Sequence, residues 1–270
     1  MCRANLTRML IRFLGTGTSY GVPYVGCDCA VCRSTDPRDK RLRASVLVED
    51  SSEEIVTRLL VDTGPDFRQQ MLRANVNHLT AILWTHSHND HIIGLDDVRP
   101  LSDKQGYIPG YADAKTLERL ERVFDYCFVQ GREHGGFPRV TPHIAEPFHT
   151  LTFGTIEATP LPISHGRAGE IFSWEFASNG ARFVYASDCA GIPDQSLERM
   201  RGCDVFVVDA LRHTEHPNHF NIAQALEVIE KIDPKRAFFT HVTHDLGHAE
   251  TEEPLPERVR IAYDGLELQL

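Results

Sequence analysis

Thr85-His86-Ser87-His88-Asn89-Asp90-His91 puts three histidines and one aspartate within six positions. Imidazole and carboxylate together suit Zn²⁺, Mn²⁺ or Fe²⁺, so the chemistry this stretch offers is metal binding. The apolar run Ala81-Ile82-Leu83-Trp84 precedes it and Ile92-Ile93-Gly94 follows. The first reads as a buried strand and the second as the start of a helix, which places the cluster on the loop between them. A loop can aim adjacent side chains at more than one ion, whereas a helix groups only residues three or four apart. The alternative, a solvated histidine-rich loop, suits a lone His-x-His better than this density of ligands at a strand end.

Two histidines cannot complete a metal site. His165, on a glycine turn after Ala158-Thr159-Pro160-Leu161-Pro162-Ile163-Ser164, is a candidate for the third ligand. Three further apolar runs end in a polar residue of the same kind: Leu60-Val61-Asp62, Phe183-Val184-Tyr185-Ala186-Ser187-Asp188 and Ala237-Phe238-Phe239-Thr240-His241. Asp62 precedes Thr63-Gly64-Pro65, so a turn or helix cap competes with a role at the metals. Cys189, beside Asp188, reads as packing. Cys27-Asp28-Cys29-Ala30-Val31-Cys32 is a second constellation, since three thiolates this close can wrap one tetrahedral ion and leave a fourth position for a distant histidine. His213, His216 and His219 precede a helix expected over Ile222 to Ile232 with Asn221 as its cap.

The elements that must position these groups follow from periodicity. Strands are expected at 9–14, 44–48, 58–62, 81–84, 182–188, 203–210 and 237–240, with a last strand in the tail from Tyr263 to Leu270. The strands at 44–48 and 58–62 read as a pair joined by the polar 50–54 connection. Helices are expected from Phe67 to Ala74, from Gly94 to a stop at Pro100, and from Ala114 to Phe128 with Leu117, Leu120, Val123, Phe124 and Cys127 on one face. The charged stretch from Asp36 to Arg43 reads as a solvated loop. Residues 107–147, Gly-, Pro- and His-rich beyond Gln130, are a candidate lid or rim.

The 270 residues, 41% hydrophobic and 24% charged, are those of a globular protein, read as a single domain over 1–270. A net charge of −10 disfavours a polyphosphate partner, so nucleic acid is not expected. No apolar run is long enough for a spanning helix, and the first residues lack the apolar core of a signal peptide. Seven cysteines, three of them clustered, fit a reducing, cytoplasmic setting and metal binding rather than a disulfide framework.

The His-x-His-x-Asp-His loop resembles that of the metallo-β-lactamase superfamily, and the resemblance runs from Gly15 to His244. It implies a four-layer αββα sandwich with two divalent ions, Zn²⁺ or Mn²⁺, at one edge. His86, His88 and His165 would hold one ion and Asp90, His91 and His241 the other, with Asp188 bridging and Asp62 behind them. The loop Gly15-Thr16-Gly17 after the first strand is similar to that of the phosphodiesterase members. In those members a histidine before the late helix faces the scissile phosphate, and His219 matches it. Asp90 and His219 are then the catalytic residues. The zinc motif narrows the resemblance to the PhnP-type cyclic phosphodiesterases of the carbon–phosphorus lyase pathway, in which Cys27, Cys29, Cys32 and His244 would share one structural Zn²⁺. The implied function is hydrolysis of a small cyclic phosphodiester, phosphoribosyl 1,2-cyclic phosphate or a 2′,3′-cyclic nucleotide, by a hydroxide generated at the metals. A homodimer is a family expectation. A lactone, thioester or β-lactam hydrolase, a tRNA 3′-processing nuclease and a non-enzymatic binding protein are the competing readings.

Overall fold

The computed structural model describes residues 9–51, 56–131 and 136–270. Cys2, residues 52–54 of the expected connection and His134 lie outside them. The strands are β1 (Leu10–Gly15), β2 (Ser45–Asp50), β3 (Thr57–Val61), β4 (Ala81–Leu83), β5 (Ile108–Ala112) and β6 (Val140–Ile144), then β7 (Leu151–Phe153), β8 (Ile156–Ser164), β9 (Glu170–Ser178), β10 (Ala181–Ala186), β11 (Val205–Asp209), β12 (Arg236–Thr240) and β13 (Val259–Ile261). A last strand, β14 (Glu267–Gln269), returns to pair with β1. The result is two seven-stranded sheets, ordered β14-β1-β2-β3-β4-β5-β6 and β13-β12-β11-β10-β9-β8-β7.

Alternation along each strand divides the side chains between two apolar layers. Val46 and Val48 of β2, Leu59 and Val61 of β3, Phe183 and Tyr185 of β10, and Val205 and Val207 of β11 meet between the sheets. Leu47 and Leu60 face the outer helices Phe67–Arg73, Arg99–Gln105 and Ala114–Val123. Val184, Phe206 and Val208 face Asp194–Met200 and Ile222–Ile232 on the other side. This is the αββα sandwich. Strands covered on both faces read as continuous apolar runs, which is why the inner strands are visible in the sequence while the direction each side chain takes is not.

The strand directions bring the polar strand ends to one edge. β10, β11 and β12 are parallel neighbours. β8 is antiparallel to β9, and β9 to β10, so β8 runs with them. In the other sheet β3 and β4 are parallel. Asp62, the Thr85–His91 loop, His165, Asp188, Asp209 and His241 therefore leave their strands on the same side. Trp174 joins the sheets near that edge, its Nε1–H donating to the Trp84 carbonyl (3.2 Å), and Trp84 Nε1–H donates to Thr63 Oγ1 (3.0 Å) within its own sheet.

Several expectations change. The helix after the metal loop begins at Asn89, not Ile92, so Asp90 and His91 lie on its single turn, Asn89–Ile92, with His88 extended before it. The 94–99 segment is a 3₁₀ turn, Ile93–Val98, and Pro100 does not stop a helix but sits in the first turn of Arg99–Gln105, where a missing N–H costs nothing. The next helix ends at Val123 and gives way to a 3₁₀ turn, Asp125–Cys127. Residues 107–147 supply β5, β6 and a covering helix. Strands β9 and β13 are not among those the sequence pattern suggests. Pro160 and Pro162 are tolerated within β8 because β7 pairs only with 156–158 and leaves that side of the strand without a ladder partner.

The 36–43 stretch is not simply solvated. Arg41 is fully buried, with Nη1 donating to the Thr243 carbonyl (3.0 Å) and Nη2 to Asp39 Oδ1 (3.1 Å) and the Leu246 carbonyl (2.8 Å). A buried guanidinium is tolerated only when paired in this way. Its charge is invisible as a core feature among neighbouring charges in sequence. Among the described residues no helix is long and apolar enough to cross a membrane.

Candidate metal centre

Two donor groups stand side by side at the sandwich edge. His86, His88 and His165 form one, and Asp90, His91, Asp188 and His241 the other. Within each, one donor atom per residue lies within 4.8 Å of the rest. Asp188 stands between them, with Oδ1 3.2 Å from His241 Nε2 and 4.0 Å from His165 Nε2, and Oδ2 3.1 Å from His91 Nε2. All seven expected active-site ligands are thus brought together.

Three of the imidazoles are oriented from behind. Asp62, fully buried, takes His91 Nδ1–H at 2.7 Å and is itself held by Thr85 N–H (2.8 Å) and Thr85 Oγ1 (2.9 Å). His165 Nδ1–H donates to the Asn218 carbonyl (2.8 Å), and His86 Nδ1 lies 3.0 Å from Thr85 Oγ1. A hydrogen bond at one ring nitrogen leaves the other free as a ligand. The backbone closes tightly here. A side chain at Gly64 would place its Cβ 2.3 Å from the Asp90 carbonyl oxygen, and one at Gly166, whose φ is +56°, 2.1 Å from that of Pro217.

The donor set fits divalent metal ions. His86 Nε2, His91 Nε2, His241 Nε2 and Asp188 Oδ2 are buried without a hydrogen-bond partner among the described residues. Native interiors seldom leave so many polar atoms in one place unpaired, and a shared cation removes the cost. The electrostatics agree. Burial pushes His86 well below the usual imidazole range and His165 to about 4, keeping both as neutral ligands. Burial opposes the charge on His91 and His241 too, yet Asp188 and Asp90 outweigh it, raising His91 well above its ordinary value and His241 to about 9. Asp90, despite burial, is held below the carboxylate range by His91 and His241. Positive charge is what this cluster of acids calls for, and a metal replaces those protons.

Of the three histidines before the late helix, His219 is the one at the cluster. Its ring lies 4.7 Å from that of His165 and 4.8 Å from that of His241, centroid to centroid. His216 packs behind it at 5.0 Å, and His213 lines a separate cavity. His219 Nδ1 is 2.6 Å from Asp209 Oδ2, and burial pushes its imidazole down to about 4. Asp209 is a site residue that the sequence reading missed. Fully buried at the end of β11, it also accepts the Cys189 N–H (3.0 Å) and lies 4.0 Å from His241 Nδ1. It repeats the strand-end acid of Asp62 and Asp188, so the signal was there.

The second cluster lies in the N-terminal loop. His244 Nδ1 is 3.2 Å from Cys27 Sγ, 3.6 Å from Cys29 Sγ and 3.5 Å from Cys32 Sγ. Tyr24 stacks on the His244 ring at 3.8 Å, and its N–H donates to Cys32 Sγ. Four soft donors around one point suit a closed tetrahedral zinc site.

Residues 57–242 match the family model described as a β-lactamase superfamily domain. A solved structure described as a new diphosphatase from the PhnP family is 41% identical, with a TM-score of 0.88 over 97% of each chain. The octanoyltransferase of Porphyromonas gingivalis is 35% identical over 256 residues, 94% of this chain and 50% of that protein. Exodeoxyribonuclease YycJ of Bacillus anthracis is 28% identical over 165 residues, 58% of this chain and 56% of that one. The chain thus spans about half the length of these curated relatives. The family match across both sheets and the near full-length likeness to a PhnP-family structure place this chain in the metallo-β-lactamase superfamily of hydrolases, PhnP-like within it.

Proposed function

We propose that the protein is a di-metal phosphodiesterase acting on a small cyclic phosphodiester of the phosphoribosyl 1,2-cyclic phosphate or 2′,3′-cyclic nucleotide type. His86, His88 and His165 would hold one divalent ion and Asp90, His91 and His241 the other, with Asp188 shared. Such ions, when bound, acidify water and offset charge on phosphoryl oxygens. Cys27, Cys29, Cys32 and His244 would hold a structural Zn²⁺.

The observation that carries the reading is the place of His219. It stands against both donor groups while its Nδ1 is committed to Asp209, so Nε2 is the atom left to handle a proton. A proton taken there makes an imidazolium that Asp209 holds in place through Nδ1. Delivered to the leaving oxygen, it completes cleavage of the phosphorus–oxygen bond, and the proton of the attacking water restores the balance. An alkoxide leaving from phosphorus needs such an acid beside the metals. Relatives named as a diphosphatase and an exodeoxyribonuclease are consistent with phosphorus chemistry.

The test is a panel of bis-p-nitrophenyl phosphate, 2′,3′-cyclic nucleotides and a lactone, with Mn²⁺ or Zn²⁺. Turnover of phosphodiesters is expected, with His219→Ala lowering kcat roughly 100- to 10,000-fold at unchanged metal content. Activity on the lactone alone, or a His219→Ala variant within a few-fold of wild type, overturns the proposal.

A further inference from the structure

His219 stands on a turn, closed by an isolated bridge between His216 and His219, and not on a strand or helix. The turn is the far end of a loop. Its stem is fixed by Leu211 N–H donating to the Phe220 carbonyl (2.9 Å) and Phe220 N–H to that of Cys189 (2.6 Å). Beyond the stem Thr214, Glu215 and Pro217 are exposed. A segment with so little buried surface is placed by its specific contacts. For the 216–219 turn these are with the turn that carries the metal ligand His165.

Asn218 makes the joint. Its carbonyl accepts His165 Nδ1–H at 2.8 Å, and its side-chain Oδ1 accepts the Arg167 N–H at 3.0 Å. Its own N–H donates to His216 Nδ1 at 3.3 Å, which ties the turn to itself. Between those contacts lies Gly166, with φ at +56°, where a Cβ would fall 2.8 Å from both Cα and Oδ1 of Asn218. Glycine lets the two backbones come this near.

His165 faces two ways. Its Nε2 lies 3.3 Å from His88 Nδ1, in the first donor group, while Nδ1 is turned to Asn218. An ion at Nε2 confines the ring proton to Nδ1, so the N–H aimed at Asn218 is present in every loaded molecule. In the metal-free neutral ring the proton is shared between two tautomers.

We propose that Asn218 is a positioning residue through which the ion held by His86, His88 and His165 sets His219 against the metal cluster. This rests on the phosphodiesterase reading, in which His219 is the acid. Asp209 decides which nitrogen of His219 is free, and Asn218 decides where the turn bearing that ring stands. A protein without the first ion therefore lacks a placed acid as well.

The test uses the full chain with and without Zn²⁺, and the variants Asn218→Ala and Asn218→Asp. Alanine keeps the carbonyl and removes Oδ1, whereas aspartate restores an oxygen for the Arg167 N–H. Amide hydrogen exchange gives a readout without turnover. In wild type Zn²⁺ should slow exchange of the 212–219 segment at least about tenfold, although no proposed metal ligand lies in it. Asn218→Ala should lose most of that slowing while keeping its zinc content and the slowing at 85–91, and Asn218→Asp should regain it. On 2′,3′-cyclic AMP, Asn218→Ala should lower kcat about 10- to 100-fold with KM within a few-fold, and Asn218→Asp should stay near wild type. A wild-type segment indifferent to Zn²⁺, a response that Asn218→Ala keeps, an equal loss in Asn218→Asp, or a fall carried by KM each overturns the coupling and leaves the phosphodiesterase reading standing. A zinc response carried by Asn218 in a protein that cleaves no phosphodiester supports the joint between the turns and overturns the phosphodiesterase reading instead.

Discussion

In the N-terminal loop, three of four donors come from the six positions Cys27–Cys32, and only His244 arrives from afar. At the sandwich edge the donors leave β4, β8, β10 and β12, strands of both sheets. The loop cluster has four donors of its own, with Tyr24 stacked on its one histidine. The edge cluster has a further imidazole, His219, against both of its donor groups. Local ligands need little from the fold and can serve to fasten it. A reactive site needs rings held in fixed tautomers, and the sheet ends supply the carboxylates and carbonyls that hold them. Arg41 couples the two regions, since it binds the carbonyls of Thr243 and Leu246 on either side of His244.

The comparison can be broken first at Asp62. Asp62→Ala leaves His91 Nδ1 and the Thr85 N–H without their partner, and metal affinity or turnover should fall about 10- to 100-fold. Titration with a competing chelator, alongside kcat, checks this. Unchanged affinity would mean the rings need no support from the sheet end.

A smaller effect on turnover is expected for Cys29→Ser. Metal analysis should fall from three ions per chain to two, and the melting temperature should drop by about 5 °C or more, since each kcal/mol is roughly 2–4 °C in a domain of this size. Turnover should stay within about tenfold, because no hydrogen bond to an edge ligand is lost. A loss as deep as that of Asp62→Ala would show that the two regions are one functional unit.

The smallest effect on turnover is expected at Asp264, which accepts from the Leu42 N–H and Thr16 Oγ1 beneath the loop that joins the regions. Burial pushes its carboxyl up to about 6. The folded state therefore binds this proton more tightly than the unfolded chain, so stability from this group is greatest at low pH and is lost as pH rises from about 4 through about 6. Denaturant unfolding of wild type and Asp264→Asn at pH 4 and pH 7 should show wild type losing up to about 3 kcal/mol relative to the variant. A constant difference between the two would place the carboxyl in solvent.

Much of the fold and the site is legible along the chain. The inner strands announce themselves as apolar runs, and His86, His88, Asp90 and His91 are close in space because they are close in sequence. His165, Asp188 and His241 can be found because each ends a strand. Asp209 ends one too and carries the same signal as Asp62 and Asp188, but which side chain it supports, His219, is set by the fold. Arg41 cannot be singled out from Asp36–Arg43, because its burial depends on chain segments some 200 positions away.

The sequence by itself determined which residues could bind metal and that strands would present them, since ligand chemistry and side-chain alternation are local properties. Only the tertiary structure decided that His219, rather than His213 or His216, joins the cluster, that Asp188 lies between the two groups, and that Asn218 joins the turn of His219 to that of His165. Those relations depend on strand order and direction in two sheets, and hydrogen bonds between distant segments, not spacing along the chain, set them.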